Sequence, residues 1–306
     1  MKLVNPSFEI YEQGPGLEGI YEAIERAGRT CYKSTRPEGQ TAKDFVDRMI
    51  ASQHYAMLEH GTVYLKVPNG VVDGGFQFGT NWSALCLNPY TKYNSECNYY
   101  YYTTNYRVII ENDLQGVLEY LCEPTEFHEK RVTVRFTTSN GIMREFTRHR
   151  SHSFAVESTR YCNYSKDKFN SELTFIQPSW FNKEICGIDY IKYPTLPKGF
   201  FPEYDYTYLH EEKQIPVTKE AMFIWSLLTA EKSYLEATKL GAKPQEAREV
   251  LPLATKCDMV MTGFIVDWQH FFDLRARGTT GAPHPDAKAL AEPLMQEFIK
   301  INLITE

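Results

Sequence analysis

The sequence predicts a mixed α/β protein, because helical and strand periodicities both run clearly along it. Three observations carry the prediction. Leu17, Ile20, Tyr21, Ile24 and Ala27 recur at helical spacing; Val63, Leu65 and Val67 alternate with Thr62, Tyr64 and Lys66 in the period of a half-buried strand; and Thr218 to Leu240 reads as the longest helix, stopped by Gly241.

The remaining elements follow in order. Thr41-Ala42-Lys43-Asp44 resembles a capping box that opens a second helix through Phe45, Met49 and Ile50, and the first strand starts just after His60. Residues 68 to 112 hold Pro68, four glycines and the tyrosines at 99 to 102, with poor helical periodicity. They read as an insertion or β-rich excursion whose tyrosines either pack in a hairpin or offer a stacking surface for bases. A helix is expected over 113 to 122, then a strand through Val132, Val134 and Phe136, broken by Asn140-Gly141. Ile142, Met143 and Phe146 return to helical spacing, which puts Arg148 at a helix C-terminus, where the dipole favours cations. A strand is expected at Leu173 to Ile176, ended by Pro178, followed by an irregular aromatic and proline-rich stretch over 179 to 216. Pro244 suits the first turn of a helix that carries Arg248 and ends near Leu251-Pro252. Residues 255 to 263 read as a buried strand, 264 to 274 as a helix, and Asp286 as the cap of a last amphipathic helix using Leu290, Leu294 and Phe298. No repeat or strong linker divides residues 1 to 306, which read as one domain.

Composition bounds the function. The chain has 306 residues, 42% of them hydrophobic, enough for a real core, and a net charge of -6. It lacks the basic bias of a protein that holds long nucleic acids, so any phosphate it binds is expected on a small ligand. Seven cysteines lie without a Cys-x-x-Cys pair, which argues against a disulfide scaffold or a zinc ribbon. The start lacks an extended apolar segment, and the longest apolar stretch, around Ala221 to Leu228, is too short to span a bilayer. A reduced, cytoplasmic protein without membrane or metal is expected.

Against that acidic background, Arg148-His149-Arg150, seven intervening residues, then Ser158-Thr159-Arg160-Tyr161 gathers three permanent cations, a histidine and a hydroxyl. Arginine forks grip phosphate oxygens bidentately and serine adds a directional bond, so the run is suited to holding phosphate. With Glu157-Ser158-Thr159-Arg160-Tyr161, this pattern is the signature of the flavin-dependent thymidylate synthases, which the chain resembles from about Glu59 to Met295.

The resemblance implies an α/β fold with a central, largely antiparallel sheet and packed helices, assembled as a homotetramer whose active sites are shared between subunits. It implies reductive methylation of dUMP to dTMP. Non-covalent FAD takes hydride from NADPH, and 5,10-methylenetetrahydrofolate supplies the carbon. Carried over residue by residue, Arg148, His149, Arg150 and Ser151 contact FAD with Glu157 nearby, while Glu157, Ser158, Thr159 and Arg160 hold dUMP. Leu58-Glu59-His60-Gly61-Thr62 resembles the element in which the histidine lies near the flavin ring and the threonine contacts the cofactor. Ala247-Arg248-Glu249 resembles an element whose arginine binds the nucleotide, and Phe272-Asp273-Leu274-Arg275 the final signature, whose arginine lies beside the uracil. Arg275 and His60 are thus the expected catalytic residues, Arg275 by stabilising charge that develops on the base. Three positions depart from the commoner pattern. Glu145 stands where an amide can meet the uracil, Val156 replaces an asparagine, and His270 occupies a flavin-contacting position. The stretch between Arg275 and His284 is also longer than in compact members, which bears on His284 as a cofactor contact.

Two other classes compete. A thiolate mechanism would use Cys162, the cysteine nearest the cluster, although no Pro-Cys-Gln-type element surrounds it. A non-catalytic RNA or single-strand binder would use the Arg148 cluster with the tyrosine block. No Gly-x-Gly-x-x-Gly follows a predicted strand, so the flavin must be held by side chains rather than by a Rossmann loop.

Overall fold

The computed structural model describes residues 1–73, 82–182 and 218–305. Most of the irregular stretch expected over 179 to 216 lies outside the described residues. The strands are β1 (Lys2–Val4), β2 (Ser7–Tyr11), β3 (Thr62–Pro68), β4 (Lys92–Glu96), β5 (Tyr99–Asn105), β6 (Arg131–Ser139), β7 (Ser153–Val156), β8 (Thr174–Ile176) and β9 (Lys256–Phe264). The helices that matter below are α1 (Gly16–Tyr32), α2 (Ala42–Ala51), α3 (Asn69–Asp73), α4 (Trp82–Cys86), α5 (Tyr106–Glu111), α6 (Asn140–Phe146), α7 (Lys219–Lys239), α8 (Pro244–Ala247), α9 (Ile265–Phe272) and α10 (Pro285–Lys300). The chain divides into two compact units, Met1–Asn5 with Thr159–Lys256 and Pro6–Ser158 with Cys257–Glu306.

The larger unit contains a four-stranded sheet in the order β2-β6-β9-β7, with β2–β6 and β7–β9 both antiparallel. Along β6 buried and half-buried residues alternate through all nine positions, as the Val132-Val134-Phe136 pattern requires. The buried face meets α6, α9 and α10 in a core of Phe136, Phe146, Trp268, Phe271, Leu290, Leu294 and Phe298. Burying each of these side chains is worth roughly 1.5–3 kcal/mol. The Trp268 indole N–H donates to the Val132 carbonyl at 3.1 Å, which fixes α9 on the sheet.

A second, three-stranded antiparallel sheet runs β3-β5-β4 and packs on α1, α2 and α5. Gly61 lets β3 approach α1: a Cβ there would sit 2.7 Å from Ile20 and 2.8 Å from Ile24. The β-rich reading of residues 68 to 112 is met by the β4–β5 hairpin, and the tyrosines take the packed alternative. Tyr102 is fully buried and Tyr101 nearly so, paired across the sheet with Leu65 and Lys66.

The smaller unit has a parallel pair, β1 with β8, beside α7. Leu173, Phe175, Leu227 and Tyr234 form its core with Cys162 and Tyr164.

Two expectations need correction. In place of the helix predicted over 113 to 122 the chain forms a 3-10 turn over Gln115–Tyr120, and the α-helix of this region, α5, capped by Asn105, ends before it at Glu111. Asp113 lies between them at φ +52, a left-handed position that a continuous helix cannot contain. The last helix is capped by His284, not Asp286: Pro285 occupies its first position, and His284 Nδ1 accepts the Asp286 N–H at 3.2 Å. The capping box of Thr41 and Asp44 forms as predicted, with Asp44 accepting the Thr41 N–H at 2.7 Å.

Candidate active site

The arginine cluster leaves the C-terminus of α6, as the helical spacing of Ile142 and Phe146 predicts. Ser139 caps that helix by accepting the Ile142 N–H at 3.2 Å, and consecutive turns follow, His149 N–H to the Phe146 carbonyl and His152 N–H to the His149 carbonyl. The turns sort the side chains. Arg148, Arg150 and Ser151 are exposed, while His149 and His152 are buried. Among the described residues neither Arg148 nor Arg150 has an ion-pair partner, so two guanidinium forks face outward with their charge uncompensated.

Arg275 meets the histidine between them. Helix α9 continues into one π-helical turn, Asp273–Arg277, closed by Gly278 at φ +71, a local widening that recurs at functional sites. It aims Arg275 at α6 and the turn after it: Nε donates to His149 Nε2 at 3.1 Å, one terminal nitrogen donates to Glu145 Oε2 at 2.8 Å, and the other to the Glu145 carbonyl at 3.0 Å. Three of the five guanidinium donors are thereby used and two remain. The histidine can accept only if its Nε2 is unprotonated. Burial, helped by the Arg275 and His270 charges, pushes the His149 imidazole down to about 4, so it is neutral near pH 7. Glu145 therefore meets Arg275, and His149 does so as well.

His152, which carried no assigned role, lies edge-on to Trp268 with ring centroids 4.8 Å apart, and burial pushes it down to about 3. Gly263 makes room for it, since a Cβ there would fall 2.3 Å from the imidazole.

Glu157 is buried at the end of β7. Its N–H donates to the Asp258 carbonyl at 2.8 Å, and its Oε2 accepts the Asp258 N–H at 3.1 Å and lies 3.5 Å from Lys33 Nζ. Lys33 also pairs with the Asp258 carboxylate, and Arg135 reaches that carboxylate at 3.1 Å. Ser158 is half-buried and its N–H donates to the Cys31 carbonyl at 2.9 Å.

His60 and Thr62 lie beneath the surface. His60 is 1% exposed, its Nδ1 is 2.8 Å from the Thr262 hydroxyl, and burial followed by the Arg131 charge pushes it down to about 3. Arg131 donates to the Thr62 hydroxyl at 3.2 Å and to the Glu59 carbonyl at 3.1 Å; burial lowers it to about 10, so it keeps its charge.

The other expected residues are placed as follows. His270 is exposed, edge-on to His149 at 6.0 Å, and His284 is the exposed cap of α10. In the smaller unit, Thr159 is half-buried, Arg160 is exposed with its guanidinium 5.3 Å from the Tyr161 ring centre, and Arg248 stands on a 3-10 turn after α8, 3.6 Å from Glu249. Cys162 is fully buried.

The family described as "Thymidylate synthase complementing protein" matches residues 112–302, well over half of the chain. The chain belongs to that family. Its relatives include a "Probable flavin-dependent thymidylate synthase" of Paramecium bursaria Chlorella virus 1, 28% identical over 176 residues, covering 57% of this chain and 71% of that one. The "Flavin-dependent thymidylate synthase" of Haloarcula marismortui is 29% identical over 142 residues, 45% of this chain and 51% of its own, so the chain spans about half the length of that relative. Among solved structures, ThyX of Helicobacter pylori with FAD and dUMP is 14% identical with a TM-score of 0.36, over 95% of this chain and 92% of that one. The match to this thymidylate synthase family starts beyond His60 and Thr62 and takes in every expected site residue from Glu145 to His284.

Sequence reasoning missed Lys33, Arg131, Arg135, His152 and Asp258. Only Asp258 left a signal, a carboxylate in the middle of a segment that otherwise reads as a buried strand. The others sit at ordinary positions of helix ends and strands, and long-range packing alone brings them to the cluster.

Proposed function

We propose that the chain is a flavin-dependent thymidylate synthase that converts dUMP to dTMP, with 5,10-methylenetetrahydrofolate as carbon donor, NADPH as reductant and non-covalent FAD as cofactor. We further propose a single catalytic domain over residues 1 to 306, working as a cytoplasmic homotetramer with shared sites. The carrying observation is the Arg275 clamp beside two uncompensated guanidinium groups. The donor chemistry fits FAD: Arg148 and Arg150 are exposed and offer forks of the kind that bind a diphosphate. When bound and reduced by NADPH, the flavin would supply the hydride that completes the methyl group.

The chain's own residues bind and orient. Glu145 and neutral His149 hold the Arg275 guanidinium rigid, and we assign its two remaining donors to a uracil carbonyl, where they would stabilise the negative charge that builds up as C5 of the base bonds to the methylene carbon. Glu157, Ser158, Thr159, Arg160 and Arg248 are assigned to dUMP, and Ser151, His270 and His284 to the flavin. Because His60 is neutral and enclosed, its proposed part is to shape the flavin side of the site with Thr62 rather than to carry a proton. The burial of Cys162 supports a mechanism that does not use that thiol as nucleophile. Among the described residues no helix is long and apolar enough to cross a membrane.

The test is an absorption spectrum and a dTMP assay on the purified protein and on Arg148→Ala/Arg150→Ala. A yellow, active wild type and a folded, colourless double variant are expected. Full flavin occupancy in the double variant would remove these two residues from the cofactor site.

A further inference from the structure

Helix α1 stops at Lys33, whose backbone is left-handed at φ +47 and ψ +46. That conformation is unfavourable for a residue with a Cβ, which is why glycine or asparagine dominates at such helix ends. The Lys33 side chain gives the compensation, because its ammonium lies against two buried carboxylates, Glu157 Oε2 at 3.5 Å and the Oδ2 of Asp258. Two carboxylates buried side by side are costly unless a cation lies against them.

Asp258 ties the arrangement to the sheet. Its Oδ2 also accepts from Arg135 at 3.1 Å, its Oδ1 accepts the Thr137 hydroxyl at 2.6 Å, and its backbone exchanges two hydrogen bonds with Glu157. One residue on, the Ser158 N–H is fixed to Cys31, two positions before Lys33. The exit of β7 is thus clamped between the end of α1 and strand β9.

We propose that Lys33 and Asp258 are positioning residues for dUMP: without touching it, they hold Glu157 and Ser158 in the orientation that meets the nucleotide. This rests on the reading of residues 157 to 160 as the dUMP segment. Removing the ammonium takes away the cation that both carboxylates face, while Arg135 stays on Asp258, so the attraction that holds Glu157 beside Asp258 weakens and the simplest relief is for Glu157 to swing away with the strand end.

The experiment is calorimetric titration of dUMP into the flavin-loaded protein. Lys33→Gln is expected to weaken dUMP binding about tenfold, in the range by which neighbours in one ion-pair network couple, with flavin occupancy unchanged and affinity largely restored in Lys33→Arg. In a Glu157→Gln background the same change is expected to add nothing. Wild-type dUMP affinity in Lys33→Gln, or a fully additive loss in the Glu157→Gln background, overturns the proposal. If Lys33→Gln does not fold, Asp258→Asn is measured in its place: a loss of dUMP affinity that adds nothing in the Glu157→Gln background supports the proposal, and unchanged affinity or a fully additive loss overturns it. A flavin-loaded wild type that takes up no dUMP refutes the functional reading and this inference with it, whereas wild-type binding unaltered in the variants refutes the inference alone.

Discussion

Acid should unfold this protein by way of its buried histidines, and His60 allows the effect to be worked out. Burial pushes its imidazole down to about 3, against about 6.5 for an unhindered histidine. As the pH falls through about 6.5 the unfolded chain takes up a proton at this position, while the folded chain does not do so until about 3. The stability that neutral His60 contributes is therefore complete above about pH 6.5 and is lost progressively as the pH falls toward 3. One proton corresponds to about 1.4 kcal/mol per pH unit, so acidification to about pH 4.5 costs roughly 2.7 kcal/mol through His60 alone. His152, pushed down to about 3, and His149, pushed down to about 4, act with the same sign. Together the three remove roughly 5 kcal/mol or more, comparable to the whole stability of many domains. The assay is urea unfolding at a series of pH values for the wild type and His60→Asn, which keeps a polar group toward the Thr262 hydroxyl but does not titrate. The unfolding free energy of the variant should fall less steeply, by about 1.4 kcal/mol per unit between about pH 6 and pH 4.5. Equal slopes in the two proteins would refute the reasoning, since His60 would then be protonated in the folded state.

Two further outcomes follow from the site. Glu145→Gln replaces a charge-assisted bond to Arg275 by a neutral one, worth about 1.5–3 kcal/mol, so kcat/KM for dTMP formation should drop on the order of ten- to a hundredfold with flavin retained; unchanged kcat/KM would show that Glu145 does not orient the guanidinium. Cys162→Ala should keep turnover and lose about 1 kcal/mol of stability, because a buried thiol of the Tyr164 and Phe175 core is replaced by a smaller group; an inactive but folded and flavin-loaded variant, checked by thermal melting and spectrum, would restore the thiolate mechanism.

Much of the frame was legible before folding, for definite reasons. Helices α1, α2, α7, α9 and α10 and strands β3, β6 and β9 carry long periodic or continuously apolar runs, and their residues meet the cores the pattern implies. Strands β1, β2, β4 and β7 were not legible, because they are short or carry polar residues that mask the two-residue period; all five residues of β4 are exposed. The helix expected over 113 to 122 failed because a left-handed Asp113 is set by the local turn and has no clear trace in composition.

For function, the chain by itself determined which residue types are gathered where. An Arg-His-Arg run followed at fixed spacing by Ser158 and Arg160 is a local property, written into neighbouring positions, and it names the family through its chemistry. Tertiary structure alone decided what each group can do. Arg275 is 126 positions from His149 and 130 from Glu145, and Lys33 is 225 from Asp258. Such partners share no local periodicity, and their pairing exists only once helices and sheet have packed. The protonation state of the three histidines is of the same kind. An imidazole has one intrinsic affinity for a proton, and it is burial, visible only in the folded chain, that leaves His149 an acceptor for Arg275.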